Sequence, residues 1–280
     1  MSFQTSNFSS MIREICEEEG IALSVYSGDW ALRLSRDGRI FFIVGYNFPL
    51  NAASAKELCQ DKALTGELLS SSGIPAVPHL FVPVTVKEGS REEEAVDSRI
   101  RTWLSEYGEV VVKDNYGTGG NYVFRASDFE EAKKLIEGIH KRSFASSVSP
   151  FLQITQEYRV TMLDGEPELF IRKERPFEVL ENGERRLLNW KHNLGQGAVG
   201  IVVTDSGVRE RLFPMAKKAA EILDIRFASV DIVEVSGEYR VLEVNAGVMM
   251  EHFSGQSAEC RMLAKEIYRK AILKAFGSER

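Results

Sequence analysis

Apolar residues return every third or fourth position over 8–19, 91–107, 128–142, 206–223 and 257–276, and near every second position between them. That pattern predicts helices interleaved with strands. Residues 51–72 also read as one helix, stopped by Gly73 and followed by Pro75 and Pro78. Ser127 is placed to cap the 128–142 helix ahead of a carboxylate-rich first turn. A strand pair is expected around 22–44 with Asp37-Gly38 as its turn, and an extended stretch over 79–86. Residues 109–126 read as strand, glycine loop, strand. Hairpins are expected about Asp164-Gly165 and Ser236-Gly237, and 186–200 as a loop. Short hairpins with helices interspersed predict an α+β fold, not a doubly wound parallel sheet.

The turn length of the last hairpin matters. With three turn residues (Ser236, Gly237, Glu238), Asp231 faces Glu243 and Glu234 faces Arg240. Asp231, Glu243 and Asn245 then share one face, while Ala228, Val230, Ile232, Leu242 and Val244 share the other. Two carboxylates and an amide oxygen backed by a dry face are a hard-cation site. A two-residue Asp164-Gly165 turn in the earlier hairpin sets Glu157 opposite Arg172 and Arg159 opposite Phe170. Glu157, Arg159 and Arg172 then share a charged face, and Lys173 and Arg175 alternate onto the other. The bland reading of that hairpin is a sheet with one wet face. The sharper one is a ribose-binding carboxylate with arginines for phosphate or carboxylate.

Lys113 ends an apolar strand, and Gly117, Thr118, Gly119 and Gly120 follow. No Lys-Ser/Thr pair follows the glycines and the next element is a strand, which excludes a P-loop and a dinucleotide fingerprint. A plain turn has this appearance too, but so does a lid whose amides approach phosphate. Composition adds limits. The 280 residues are 44% hydrophobic and 27% charged, with a formal net charge of −6, and no basic excess for nucleic acid. Cys16, Cys59 and Cys260 match neither a disulfide framework nor a zinc spacing. No apolar run reaches membrane-span length and no signal peptide is read, so a cytoplasmic protein is expected.

In order, the DK of the 51–72 helix, VVVK, NYGTGG, SPFLQITQEYRV, FIRKERP, HNLGQGA, SVDIV and LEVN resemble the ATP-grasp superfamily of carboxylate–amine ligases. The branch most similar contains cyanophycin synthetase-type and ribosomal-protein glutamate ligases. The resemblance implies two α+β lobes clasping ATP: a shortened N-terminal lobe over 1–50, a small lobe with linking helix and glycine lid over 51–150, and a large lobe with the metal site over 151–280. It implies that Lys62 and Lys113 contact the nucleotide and that Gly117, Thr118, Gly119 and Gly120 close over its phosphates. Phe151 and Leu152 would lie at the adenine, and Glu157 at the ribose. Asp231, Glu243 and Asn245 would bind Mg²⁺ (or Mn²⁺). Arg159, Arg172 and Asn193 would face the γ-phosphate and acceptor carboxylate. Relatives carry a longer N-terminal domain than the fifty or so residues before the helix bearing Lys62. Part of substrate recognition then falls to a partner protein, a carrier or a homodimer mate.

The implied reaction joins a small-molecule or peptide carboxylate to an amine through an acyl phosphate, releasing ADP and phosphate. Alternatives are a small-molecule kinase of the same fold and a non-catalytic ATP-binding regulatory protein. The acidic balance disfavours a nucleic-acid substrate.

Overall fold

The computed structural model describes residues 6–180 and 185–277. It opens with α1 (Asn7–Glu18) and the strands β1 (Ala22–Tyr26), β2 (Ala31–Arg36) and β3 (Arg39–Val44), which form an antiparallel sheet of their own. The expected strand pair is therefore a meander. A second turn, with positive φ at Ser27, Gly28 and Asp29, folds β1 back along β2. Two helices, α2 (Ala53–Gln60) and α3 (Lys62–Ser71), replace the single one expected over 51–72. The break is Asp61, whose extended backbone interrupts the helix while its carboxylate accepts from Leu64 N at 2.9 Å and caps α3. Lys62 thereby sits in the first turn of a new helix.

A small α+β layer follows: β4 (Leu80–Pro83), α4 (Arg91–Tyr107), β5 (Val110–Asp114), β6 (Val123–Ala126), α5 (Phe129–His140) and β7 (Ala145–Pro150), with sheet order β4-β7-β5-β6. Val82, Val110, Val112 and Val148 pack against Ile100 and Trp103 of α4 and Ile136 and Ile139 of α5. Asp128, not Ser127, caps α5. It accepts from Glu131 N at 2.8 Å, and Glu131 reaches back to Ser127 N at 2.9 Å.

The larger sheet holds β8 (Ile154–Leu163), β9 (Glu166–Glu174), β12 (Val199–Val202), β13 (Phe227–Val235) and β14 (Glu238–Asn245) in the order β12-β9-β8-β13-β14. Between β9 and β12 the chain adds a hairpin, β10 (Phe177–Val179) with β11 (Arg185–Leu187), and a single 3₁₀ turn, Leu194–Gln196. Three helices complete the chain: α6 (Ser206–Ile222), α7 (Glu251–Ser254) and α8 (Ala258–Ala275). On one face Val160, Ile232 and Val244 pack against α2, α3 and α6. On the other, Leu169, Ile171 and Phe227 meet Met11, Ile12 and Ile15 of α1 and Tyr268 of α8. Each such side chain contributes roughly 1.5–3 kcal/mol of burial. That second face is apolar for only half its length; the other half carries charges. The link from α3 to β4 runs beside β14, where Val77 N donates to Val241 O at 2.9 Å and Val241 N to Pro75 O at 2.8 Å. Among the described residues no helix is long and apolar enough to cross a membrane.

Candidate functional site

Two bulges decide which side chains enter the cleft between the two sheets. The β13–β14 turn has two residues, so Val235 pairs with Glu238 and Glu234 with Tyr239. This corrects the expected three-residue turn and the Glu234–Arg240 pair; Arg240 pairs with Val233 and lies 3.5 Å from Glu238. A bulge at Leu242 then brings Asp231 opposite Glu243 and Ser229 opposite Asn245. Leu242, expected in the apolar core, joins Glu243 in lining the cleft.

The second bulge falls between Thr161 and Met162 and slides β9 by one residue along β8. Glu157 therefore faces Lys173, not Arg172, and Arg159 faces Ile171, not Phe170. Arg172 pairs with Tyr158 on the α6 side of the sheet and does not line the cleft, a correction to its expected place. Lys173, expected on that far side, takes the position instead, and Arg175 also lines the cleft.

The consequence is a buried ion cluster. Arg159 Nε and Nη2 donate to the two oxygens of Asp231, both at 2.7 Å. Lys173 Nζ donates to Asp231 Oδ2 at 2.8 Å and Glu157 Oε1 at 2.6 Å. Burial would push the Asp231 carboxyl up, but Arg159 and Lys173 outweigh it and hold the group well below the usual carboxylate range. Both Asp231 oxygens are thus engaged by cations. Asn245 Nδ2 donates to Glu243 Oε1 at 3.1 Å, leaving Glu243 Oε2 and Asn245 Oδ1 for the cleft. Among the described residues no three His, Cys, Asp or Glu groups could enclose a metal by themselves. Mg²⁺ is ordinarily held by one or two carboxylates plus phosphate oxygens, and Glu243 with Asn245 fit that role. Asp231 fits it only by giving up a bond to Arg159 or Lys173.

Cations gather on the opposite wall. Lys62 Nζ donates to the carbonyls of Asn115, at 3.2 Å, and Gly117. Lys113 is buried at the end of β5. Desolvation, then the charge of Lys62, lower its pKa to about 7 against the opposing pull of Glu243 and Glu157. Behind them His79 is held neutral by burial and by the same two lysines. The glycine loop lies between these lysines and the 189–196 segment. Lys191 Nζ and Gln196 Nε2 donate to Gly120 O at 3.0 and 3.1 Å. Its carbonyls are thus held, while the amides of Thr118, Gly119 and Gly120 bond to nothing among the described residues. Gly120 has φ +71°, and a Cβ there would come within 3.0 Å of Gln196 and 3.1 Å of Asn193.

The far end of the cleft is an apolar slot lined by Val111, Phe151, Leu152, Ile154, Trp190 and Leu242. Phe151 N donates to Glu109 O at 2.9 Å, and the Arg125 guanidinium lies 4.0 Å from the Phe151 ring centre. His192 Nδ1 is 3.0 Å from Lys173 O, which fixes the proton there. Its buried Nε2 is an acceptor on the cleft wall with no partner among the described residues. Burial lowers the His192 pKa. Asn193 lines the cleft too, its Oδ1 accepting from Gly195 N at 2.8 Å. Of the expected residues, all but Arg172 line this cleft. Lys173, Arg175, Trp190, Lys191 and His192 join them without having been placed there by pattern. A loop bearing Trp190, Lys191 and His192 after a basic strand was their one signal.

An apolar slot thus ends in paired lysines under a glycine loop, between two α+β layers. Residues 59–267 match the RimK-like ATP-grasp domain, and the chain belongs to that family. It is similar to a tetrahydromethanopterin:α-L-glutamate ligase of Methanocaldococcus jannaschii, 24% identical over 207 residues, 70% of this chain and 61% of that protein. The chain thus spans about three fifths of this curated relative's length. Its fold is similar to a D-alanine–D-alanine ligase from Bacillus anthracis, with TM-score 0.58, 17% identity, and coverage of 81% of this chain and 71% of that one. It is also similar to a bifunctional glutathione synthetase from Pasteurella multocida, with TM-score 0.62, 12% identity, and coverage of 99% and 45%.

Proposed function

We propose that this protein is an ADP-forming carboxylate–amine ligase acting through an acyl phosphate. One observation carries the reading: the nucleotide slot opens, at Glu243, Asn245 and Arg159, directly into a second chamber large enough for a reacting partner. A carboxylate oxygen there attacks the γ-phosphorus of ATP, the bond to the β-phosphate oxygen breaks, and ADP leaves with the electron pair. An amine nitrogen then attacks the acyl carbon, phosphate leaves, and the amine proton passes to solvent. Catalysis is positioning and electrostatics. Lys62 and Lys113 neutralise the phosphates, and the free amides of Thr118, Gly119 and Gly120 cover them. Arg159, held flat by Asp231, presents its remaining donors to the transferring group. Glu243 and Asn245 would hold Mg²⁺, which neutralises phosphate oxygens when bound; Mn²⁺ suits the same oxygens. The lid and the 189–196 segment keep water from the acyl phosphate. The three free cysteines and the use of ATP suit a cytoplasmic protein. The test is ADP release that needs acid and amine together, with a new mass equal to their condensation. ADP release without a condensation product contradicts the reading.

Lys113 gives this site a pH signature. In the free protein its ammonium loses its proton as pH rises through about 7. A bound triphosphate favours the charged form and raises that pKa. Near pH ~8, therefore, ATP binding takes up protons. Calorimetry in buffers of different ionisation heat should show this uptake, and Lys113→Met should remove it. A binding enthalpy independent of buffer in the unaltered protein contradicts the assignment.

A further inference from the structure

The second chamber, of about 410 Å³, shares Lys62, Arg159, Lys173, Glu243 and Asn245 with the nucleotide cleft. Its outer wall is built from Trp30 and Tyr46 of the N-terminal meander, Tyr116 at the start of the glycine loop, and Met249. Trp30 is 60% exposed. Its six-membered ring lies on Gly45, where an added Cβ would come within 2.9 Å of the ring. One indole face is thus seated on backbone while the ring remains open to the chamber. The Tyr46 phenol is kept neutral by burial and by the nearby charge of Glu251. Tyr116 is steadied by donating to Asp61 Oδ2 at 2.8 Å.

The chamber surface is poor in carboxylates. Among the described residues lining this chamber, Glu243 is the single carboxylate, and it already serves the phosphate side. Glu251 is close by but accepts from Asn7 N at 2.7 Å and Phe8 N at 2.8 Å, one on each oxygen. Asp61 spends its oxygens on Leu64 N and the Tyr116 hydroxyl. Lys62, Arg159 and Lys173 line the floor, the last two paired with the buried Asp231 and Glu157, and the wall is aromatic. An ammonium group placed here meets no carboxylate beyond Glu243 to offset its desolvation.

Resting on the ligase reading, we infer that the acid this protein activates carries an aromatic or comparable planar body and no free ammonium group. Its carboxylate lies toward Lys62 and Arg159, and its body lies along Trp30. The wall that reads the acid comes from the chain's own meander.

Calorimetry with protein loaded with MgADP measures the acid alone, without turnover. Phenylacetate and indole acetate are the probes, set against L-alanine and L-glutamate. The aryl acids should bind at least about tenfold tighter. Trp30→Ala should weaken them by roughly tenfold, the scale of a lost aromatic contact, and Trp30→Phe should retain most of the affinity. Circular dichroism confirms that each variant is folded. Should Trp30→Ala fail to fold, Trp30→Leu replaces it. Equal or tighter binding of the amino acids, absent aryl-acid binding, or aryl-acid affinity unchanged in a folded Trp30→Ala or Trp30→Leu protein would overturn the inference. Hydroxylamine reports separately on the ligase reading. Its nitrogen attacks the acyl phosphate and displaces phosphate to leave a hydroxamate. Hydroxamate from amino acids but not from aryl acids upholds the ligase and rejects the aromatic acid. ADP formation with no hydroxamate from any acid rejects the ligase itself.

Discussion

Glu243→Gln should lower acid-dependent ADP release by a factor on the order of 10²–10³ while the protein keeps its melting temperature. The substitution is nearly isosteric and the side chain is only half-buried, so packing has little to lose. What it removes is a cleft carboxylate that no cation holds; Asp114, the other such group, instead accepts from Tyr116 N and Ser143 Oγ. Asp231 is bound by Arg159 and Lys173, and Glu157 by Lys173. Glu243 has only the Asn245 amide, at 3.1 Å. The loss should lie mainly in turnover and in the divalent-ion requirement. Steady-state kinetics across a Mg²⁺ titration measures both. Near-normal turnover in the variant would remove Glu243 from the metal role.

Asp231→Ala should instead cost stability, about 3–5 kcal/mol, because it leaves Arg159 and Lys173 buried beside one another without their shared anion. Asp231 is 1% exposed and Lys173 3%. For a chain of this size the melting temperature should fall by on the order of 10 °C. Thermal melts at neutral pH read the effect. A triple variant with Asp231, Arg159 and Lys173 all replaced by apolar residues of similar volume should recover much of the stability and none of the activity. An Asp231→Ala protein that melts normally would mean the cluster is not the structural hub its distances describe.

The alternation of apolar and polar residues carried the α+β class, the glycine loop between two strands and the hairpin bearing Asp231 and Glu243. Its limits are physical. A β-bulge inserts one residue without disturbing the alternation on either side of it, so a register counted outward from a turn goes wrong beyond the bulge. That is why Arg172 was expected in the site and Lys173 outside it. In β13–β14 the bulge and a shorter turn compensated each other. Separating polar from apolar faces therefore found Asp231 opposite Glu243 through the wrong turn. The break at Asp61 left no trace in the helical spacing of 51–72, because a capping Asp is also an ordinary exposed helix residue. Trp30 and Tyr46 lie more than a hundred residues from Arg159 in sequence, and only the fold brings them to one chamber.

Heavy-oxygen labelling of the acid tests most directly whether an acyl phosphate is made from ATP. A panel of carboxylic acids labelled in both carboxyl oxygens is incubated with the protein, MgATP and an amine. Phosphate is then analysed by mass spectrometry. The ligase mechanism predicts that each phosphate released with a condensation product carries one labelled oxygen taken from the acid. Condensation that proceeds with unlabelled phosphate would contradict it, since no bond would then have formed between the acid's oxygen and the γ-phosphorus.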